Sequence, residues 1–188
     1  KDNLKARLAY STISQLSYVV LGAMLVNVWG IIGAGMHMVM HAFAKITLFF
    51  CAGAILVATH KTDVSQMRGL GRRMPITMVA FLIGALSIIG LPPLGGTWSK
   101  WYLVLGTLEA GDMVLLAVLL VSTLLNIAYL LPIPVRAFFD PSEGDAGEGI
   151  REAPVACLVA LAITALGCLA LFLNPDPLYA LMSQVVAP

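Results

Sequence analysis

Charge is what this 188-residue sequence has least of: only 11% of its residues are Asp, Glu, Lys or Arg, where a soluble domain carries about a quarter. With 60% hydrophobic residues beside it, that scarcity excludes a soluble globular enzyme. The eleven Lys and Arg nearly balance the ten Asp and Glu, so the chain offers neither a basic surface for nucleic acid nor an acidic tail. Cysteine is scarce as well. Cys51, Cys157 and Cys168 each sit inside an apolar run, where they read as small buried hydrophobes and supply no disulfide or zinc framework. No phosphate loop, metal-spaced His/Cys set or haem ligand pair stands out, so no cofactor, no metal and no redox chemistry are expected of these residues. No signal peptide opens the chain; position 1 is a Lys in a charged loop, which reads as a fragment whose N-terminal part is missing.

What is present is apolar sequence in bilayer-length pieces. At roughly 20 residues per crossing, with loops allowed for, the length accommodates about five or six spans. They are placed at residues 8–28, 31–58, 75–108, 113–139 and 155–173. The expected fold is all-α, a polytopic transmembrane helix bundle of about five crossings with one discontinuous helix. The discontinuity comes from Leu91-Pro-Pro-Leu-Gly-Gly96: Pro92, Pro93, Gly95 and Gly96 cannot carry a helix through, yet apolar residues continue on both sides. The segment is either two crossings or one broken crossing; Glu109 and Asp112 in the loop that follows, with no Lys or Arg beside them, favour one broken crossing that ends outside. Lys1, Lys5 and Arg7 precede the first span and Lys61, Arg68, Arg72 and Arg73 follow the second, so that shared side is assigned to the cytoplasm. The fourth span is kinked near Pro132 and Pro134. The Gly-rich, acidic loop Asp140–Ala153 reads as a mobile cytoplasmic linker. Gly22, Gly33, Gly35, Gly53, Gly84 and Gly90 read as close-packing positions.

All ten carboxylates fall in loops or termini, whereas His37, His41, Lys45 and Lys100 fall inside spans. A lysine at mid-membrane costs at least a few kcal/mol, so its retention calls for a polar cavity or a function. His37, His41 and Lys45 are spaced four and four, which on a helix forms a ladder with axial steps of about 6 Å. One water between neighbours would complete a proton relay, since imidazole accepts on one nitrogen while donating from the other. The structural alternative is histidines that merely hydrogen-bond a neighbouring helix. Lys100 follows the helix break, where freed backbone groups hold water within the bilayer, so its protonation responds to whichever charge approaches. Its structural alternative is a snorkelling anchor beside Trp98, Trp101 and Tyr102. Ser11, Ser14, Gln15 and Tyr18 in the first span, with Ser122, Asn126 and Tyr129 in the fourth, either line a hydrated path or serve interhelical hydrogen bonding.

Three stretches together resemble a known family: Leu8-Ala-Tyr-Ser-Thr-Ile-Ser-Gln15, His37-Met-Val-Met-His41-Ala-Phe-Ala-Lys45, and Leu91-Pro-Pro through Ser99-Lys100. The chain resembles the antiporter-like membrane subunits, which comprise the large proton-conducting subunits of complex I and the A and D subunits of Mrp-type multisubunit cation/proton antiporters. The resemblance covers essentially the whole chain, and Gly69-Leu-Gly-Arg-Arg-Met-Pro75 with Ser99-Lys-Trp-Tyr-Leu103 looks most like the D-type subunit. It implies that residues 1–188 are the C-terminal part of one antiporter-like transmembrane domain built from two inverted halves. It also implies that His37, His41, Lys45 and Lys100 are proton-channel residues. Gly95-Gly96-Thr97 departs from the Ala/Gly-Phe pattern usual before the Ser-Lys pair.

The leading expectation is therefore a multi-pass subunit of the cell inner (plasma) membrane that moves protons, and in some settings Na+ or K+, within a cation/proton antiporter. Its partners would be the lipid bilayer and other membrane subunits of the same complex, with no nucleic acid. Because the lysines have no carboxylate in these spans, an acidic partner is expected from a missing segment or an adjacent subunit. Two alternatives stay open. One is a proton-pumping membrane-arm subunit of complex I or a related hydrogenase, enzymatic only as part of that assembly. The other is a non-conducting assembly scaffold.

Overall fold

The computed structural model describes residues 1–141 and 149–186. Apart from turns and one isolated antiparallel bridge between Asn3 and Asp63, the described residues form helices. Helix α1 (Leu4–Met24) starts at Asn3, whose side-chain oxygen accepts the Ala6 N–H at 3.1 Å. Helix α2 (Val28–Thr59) has 32 residues and is therefore about 48 Å long. Its cap, Asn27, accepts from Gly30 N at 2.8 Å and donates through Nδ2 to Gly106 O at 2.7 Å. A short 3-10 turn and the four-residue α3 (Leu70–Arg73) lead into α4 (Pro75–Ile89), which begins on a proline and is capped by Glu152. The Glu152 carboxylate accepts Ile76 N–H at 2.6 Å and the Thr77 hydroxyl at 2.6 Å. After the interruption come α5 (Gly96–Glu109), α6 (Met113–Leu130), α7 (Pro132–Phe139), α8 (Val155–Leu173) and α9 (Asp176–Val186).

The contacts along α2 decide between one crossing and two for residues 75–108. Going up α2 from its C-terminal end, Cys51 meets Thr77, Leu48 meets Gly84, Met40 meets Gly95, His37 meets Ser99, Gly33 meets Leu103 and Gly30 meets Gly106. One helix partner falls steadily while the other rises, so α4 and α5 form a single broken crossing antiparallel to the whole of α2. Small residues permit the approach: a Cβ on Gly33 or on Gly106 would lie 2.8 Å from a backbone nitrogen of the opposite helix. Gly53, by contrast, faces open space and is not a packing position. At the break, Gly90 adopts a left-handed conformation (φ 87°) that closes α4, as a residue without Cβ does readily.

Helix α8 leans on the break. Gly95 N–H donates to Cys168 O at 3.0 Å and the Trp98 indole to Phe172 O at 3.0 Å. Helix α9 lies outside every span read from sequence, because Asn174-Pro-Asp-Pro177 ends the apolar run. It packs Leu178, Tyr179, Met182 and Val186 against Ile32, Met36 and Met40 of α2. The prolines at 132 and 134 divide the fourth span into α6 and α7.

The N-terminal segment, the 61–73 connection and the residues flanking the acidic linker meet at one end. Leu4 N–H donates to Thr62 O, Gly69 N–H to Arg136 O, and Arg151 N–H to Arg73 O. Nine of the eleven Lys and Arg lie there; the other two are Lys45 and Lys100. This basic end is the one that the distribution of Lys and Arg along the sequence assigns to the cytoplasm. Of the acidic linker, residues 142–148 lie outside the described residues. Helix α2, the α6–α7 unit and α8 are each long and apolar enough to cross a bilayer. The chain is a membrane-embedded, polytopic helical bundle.

Candidate functional site

The helix break creates the acceptor that Lys100 uses. In a continuous helix the carbonyl of Ile89 would receive the N–H of the residue four positions on, but that residue is Pro93, which has none. The Lys100 ammonium takes its place, with Nζ 2.8 Å from Ile89 O and 3.4 Å from Thr123 Oγ1 of α6. Its third support is the face of Tyr18, with the ring centroid 5.0 Å away. Lys100 is 6% exposed and also lines a cavity of about 320 Å³ with Gly90, Thr97 and Thr123.

The Tyr18 ring separates Lys100 from His37, which it meets edge-on at 5.4 Å. His37 is 2% exposed, and its Nδ1 is 2.9 Å from Ser99 Oγ. The Ser99 hydroxyl is also 3.1 Å from Gly96 O; with its one hydrogen donated there, the His37 Nδ1 carries the proton of the His37–Ser99 bond. The proton-accepting nitrogen of neutral His37 is then Nε2. His41 stacks on His37 at 6.0 Å between centroids with the rings 17° from parallel. His37 Nε2, His41 Nε2 and the Gln15 side-chain oxygen are all buried without a protein hydrogen-bond partner, and buried polar atoms of this kind are ordinarily met by water.

Lys45 is also buried, at 5% exposure, but it stands apart from this cluster. Its Nζ donates to Leu8 O of α1 at 3.0 Å, one helical turn beyond His41. The structure thus brings Lys100, Tyr18, His37 and His41 together, and sets Lys45 toward the basic end of the same α1–α2 seam. Among the described residues, no carboxylate pairs with either lysine.

Of the seven polar residues singled out from sequence on α1 and α6, six form one hydrogen-bonded chain. Tyr129 OH donates to Asn126 Oδ1 at 2.6 Å, so the 2.6 Å bond between Ser11 and Tyr129 has Ser11 as its donor. Gln15 Nε2 donates to the same Asn126 oxygen at 3.1 Å. Asn126 Nδ2 donates to Tyr18 OH at 3.2 Å, and Tyr18 OH to Ser122 Oγ at 2.7 Å. Ser14 stays outside the chain and lines, with Lys1, Arg7, Tyr10, Ser11 and Tyr129, a cavity of about 710 Å³ at the basic end.

Two residues of this site carry no signal of their own in the sequence. Ser99 is one hydroxyl among many until the fold sets it against His37, and Thr123 is visible only as the neighbour of Ser122. Pro92 and Pro93 lie in the break, Gly95 donates from it to α8, and Gly96 opens α5.

Comparison with known proteins identifies the family and the fold. The transmembrane family model described as NADH:quinone oxidoreductase/Mrp antiporter matches residues 1–126. NADH-quinone oxidoreductase subunit N of Desulforudis audaxviator is 40% identical over 192 residues, a match covering 96% of this chain and 38% of that protein. A chain of the Mrp complex from Dietzia sp. DQ12-45-1b superposes with a TM-score of 0.88 at 23% identity, covering 97% of this chain and 42% of that one. A chain of respiratory complex I from Thermus thermophilus superposes at 0.80 and 23% identity, covering all of this chain and 41% of that one. The chain therefore spans about two fifths of the length of these relatives.

Proposed function

Because the chain belongs to the NADH:quinone oxidoreductase/Mrp antiporter transmembrane family, we propose that it moves protons across the plasma membrane as part of a multisubunit cation/proton antiporter. Na+ or K+ would be the counter-transported ion. The observation that carries this reading is Lys100: a buried ammonium with no carboxylate among the described residues, held on a carbonyl that a proline has freed. A lysine held this way sits where the approach or withdrawal of a neighbouring charge decides whether it keeps its proton. His37 and His41 extend the site toward Lys45 as imidazoles able to accept and donate. One further carrier, such as a water between His41 and Lys45, completes the ladder.

The chain's 38% coverage of its curated relative supports the proposal that residues 1–188 form one portion of a larger antiporter-like domain. The remaining portion, or an adjacent membrane subunit, would contribute the acidic partner that the two lysines lack. A second reading has an observation of its own: the 40% identical relative is a subunit of NADH-quinone oxidoreductase. On that reading the same site serves a pump driven by redox chemistry elsewhere in the complex.

Lys100→Ala in the assembled complex, reconstituted in vesicles, tests the site. Loss of driven proton movement with assembly unchanged supports conduction, and undiminished movement identifies a scaffold. Driving the wild-type vesicles with a Na+ or K+ gradient in one arm, and with NADH and quinone in another, separates antiporter from redox pump.

A further inference from the structure

The α1–α6 seam has an order that proton chemistry makes consequential. From the cytoplasmic cavity inward it runs hydroxyl, hydroxyl, amide, hydroxyl, hydroxyl: Ser11, Tyr129, Asn126, Tyr18, Ser122. Ser11 and Tyr129 line the cavity, and the inner end lies beside the proposed site, since the Tyr18 ring packs against both Lys100 and His37; a bridging water would carry a proton from Ser122 to that cluster. The amide is fixed in series. Its oxygen accepts from Tyr129 and Gln15 while its nitrogen donates to Tyr18, and Asn126 is 1% exposed. The side branch at the same depth, Gln15, is a second amide and is 0% exposed.

A hydroxyl, a water or a carboxylic acid can accept one proton and release another without changing its bonding. A primary amide cannot: its acceptor is the oxygen and its donors are on the nitrogen. Passing a proton from Tyr129 to Tyr18 through Asn126 would require O-protonation followed by loss of an N–H proton, leaving the imidic acid tautomer. The chain thus looks continuous by hydrogen bonding and is interrupted for proton hopping.

We propose that Asn126 is a proton barrier between the cytoplasmic cavity and the Lys100–His37 cluster, held in place by Gln15, Tyr18 and Tyr129. This inference rests on the proton-conducting reading of that cluster. Transport then requires the seam to open and admit water around Asn126, so that access from the cytoplasm is gated and passive slip is prevented. An aspartic acid at this position removes the interruption: one carboxyl oxygen gains the Tyr129 proton as the other gives its own to Tyr18 OH. Tyr18 passes its original proton to Ser122, which releases its own to water on the inner side, while Ser11 reloads Tyr129 and takes a proton from water in the cavity, so every O–H bond broken is matched by one formed.

The test is passive proton flux into liposomes containing the complex with its full-length subunit, read by an entrapped pH dye under an imposed pH step, with no cation gradient and no redox substrate. Asn126→Asp and Asn126→His, which both supply a relay, are expected to raise the flux by at least about tenfold, in keeping with the worth of a placed acid–base group. Asn126→Leu, which supplies none, is expected to leave the flux at the wild-type rate. Two results overturn the barrier: no rise in either relay variant, or a rise in the Leu variant equal to theirs, which would mean the seal is steric. Should the Asp variant fail to assemble on size exclusion, the neutral His variant decides. Failure of the underlying reading is seen separately, as driven transport that survives Lys100→Ala.

Discussion

Replacing Ser99 with alanine removes one oxygen from a fully buried junction and reports directly on how His37 is held. Ser99 is 0% exposed and links His37 Nδ1, at 2.9 Å, to Gly96 O, at 3.1 Å. Gly96 O keeps its helical partner in the variant, so the group left stranded is the His37 Nδ1–H. Stranding a buried donor costs about 1–3 kcal/mol. If transport needs the tautomer with Nε2 free, the same energy appears as a rate loss of roughly fivefold to 150-fold. Driven proton uptake by vesicles at equal assembled subunit is the assay, and Ser99→Thr, which keeps the hydroxyl, is expected to recover most of the rate. Uptake by Ser99→Ala within about twofold of wild type would refute the tautomer argument, because such a change is under 0.5 kcal/mol or so.

Other expectations follow from separate parts of the bundle. Gly106→Ala places a Cβ 2.8 Å from Gly30 N and should force α5 away from α2, at about 1–3 kcal/mol; a lower melting temperature of the detergent-solubilised complex checks it. At the basic end the Ser65 hydroxyl donates to Asp2 at 2.6 Å and, as the main cause, holds that exposed carboxyl below its ordinary 3.8. A lowered folded value stabilises above the ordinary one and fades as pH falls through the lowered one. Hydrogen exchange of the Ser65 amide, which donates to the Asp2 carboxylate at 3.1 Å, should therefore show protection that weakens on acidification below 3.8 in wild type and does not depend on that titration in Asp2→Asn.

The crossings were legible because their cause is local. Long apolar runs, basic residues on one flank and the pair Pro92–Pro93 dictate where helices run and where one stops, whatever packs around them. The intramembrane charges were legible for the same reason: Lys45 and Lys100 are conspicuous in spans that have no other Lys or Arg. What lay beyond the sequence is pairing at distance. Gln15 and Asn126 are 111 positions apart, and nothing in either helix says that the two amides meet. Spacing placed Ser11, Gln15 and Tyr18 on one face without saying whether that face meets water or a partner helix. Helix α9 was missed because Pro175 and Pro177 end the apolar run, while its contact face of Leu178, Tyr179, Met182 and Val186 is too short to stand out. Lys100's acceptor was implicit in the sequence, since a proline strips the carbonyl four residues earlier of its donor. Choosing Lys100 as the group that uses it required the fold.

The central claim is that Lys100 works by exchanging a proton, and one comparison at that residue tests it most directly. Driven proton transport is measured in vesicles for wild type, Lys100→Ala, Lys100→Arg and Lys100→Glu at equal assembled subunit. Alanine removes the exchanging group and should abolish transport. Arginine keeps the charge and stays protonated at any working pH, so it should fail as well. A buried glutamic acid still exchanges a proton and should retain part of the activity. The ordering Glu above Arg is the predicted result. Arginine transporting as well as wild type would contradict the account and leave Lys100 as a fixed positive anchor.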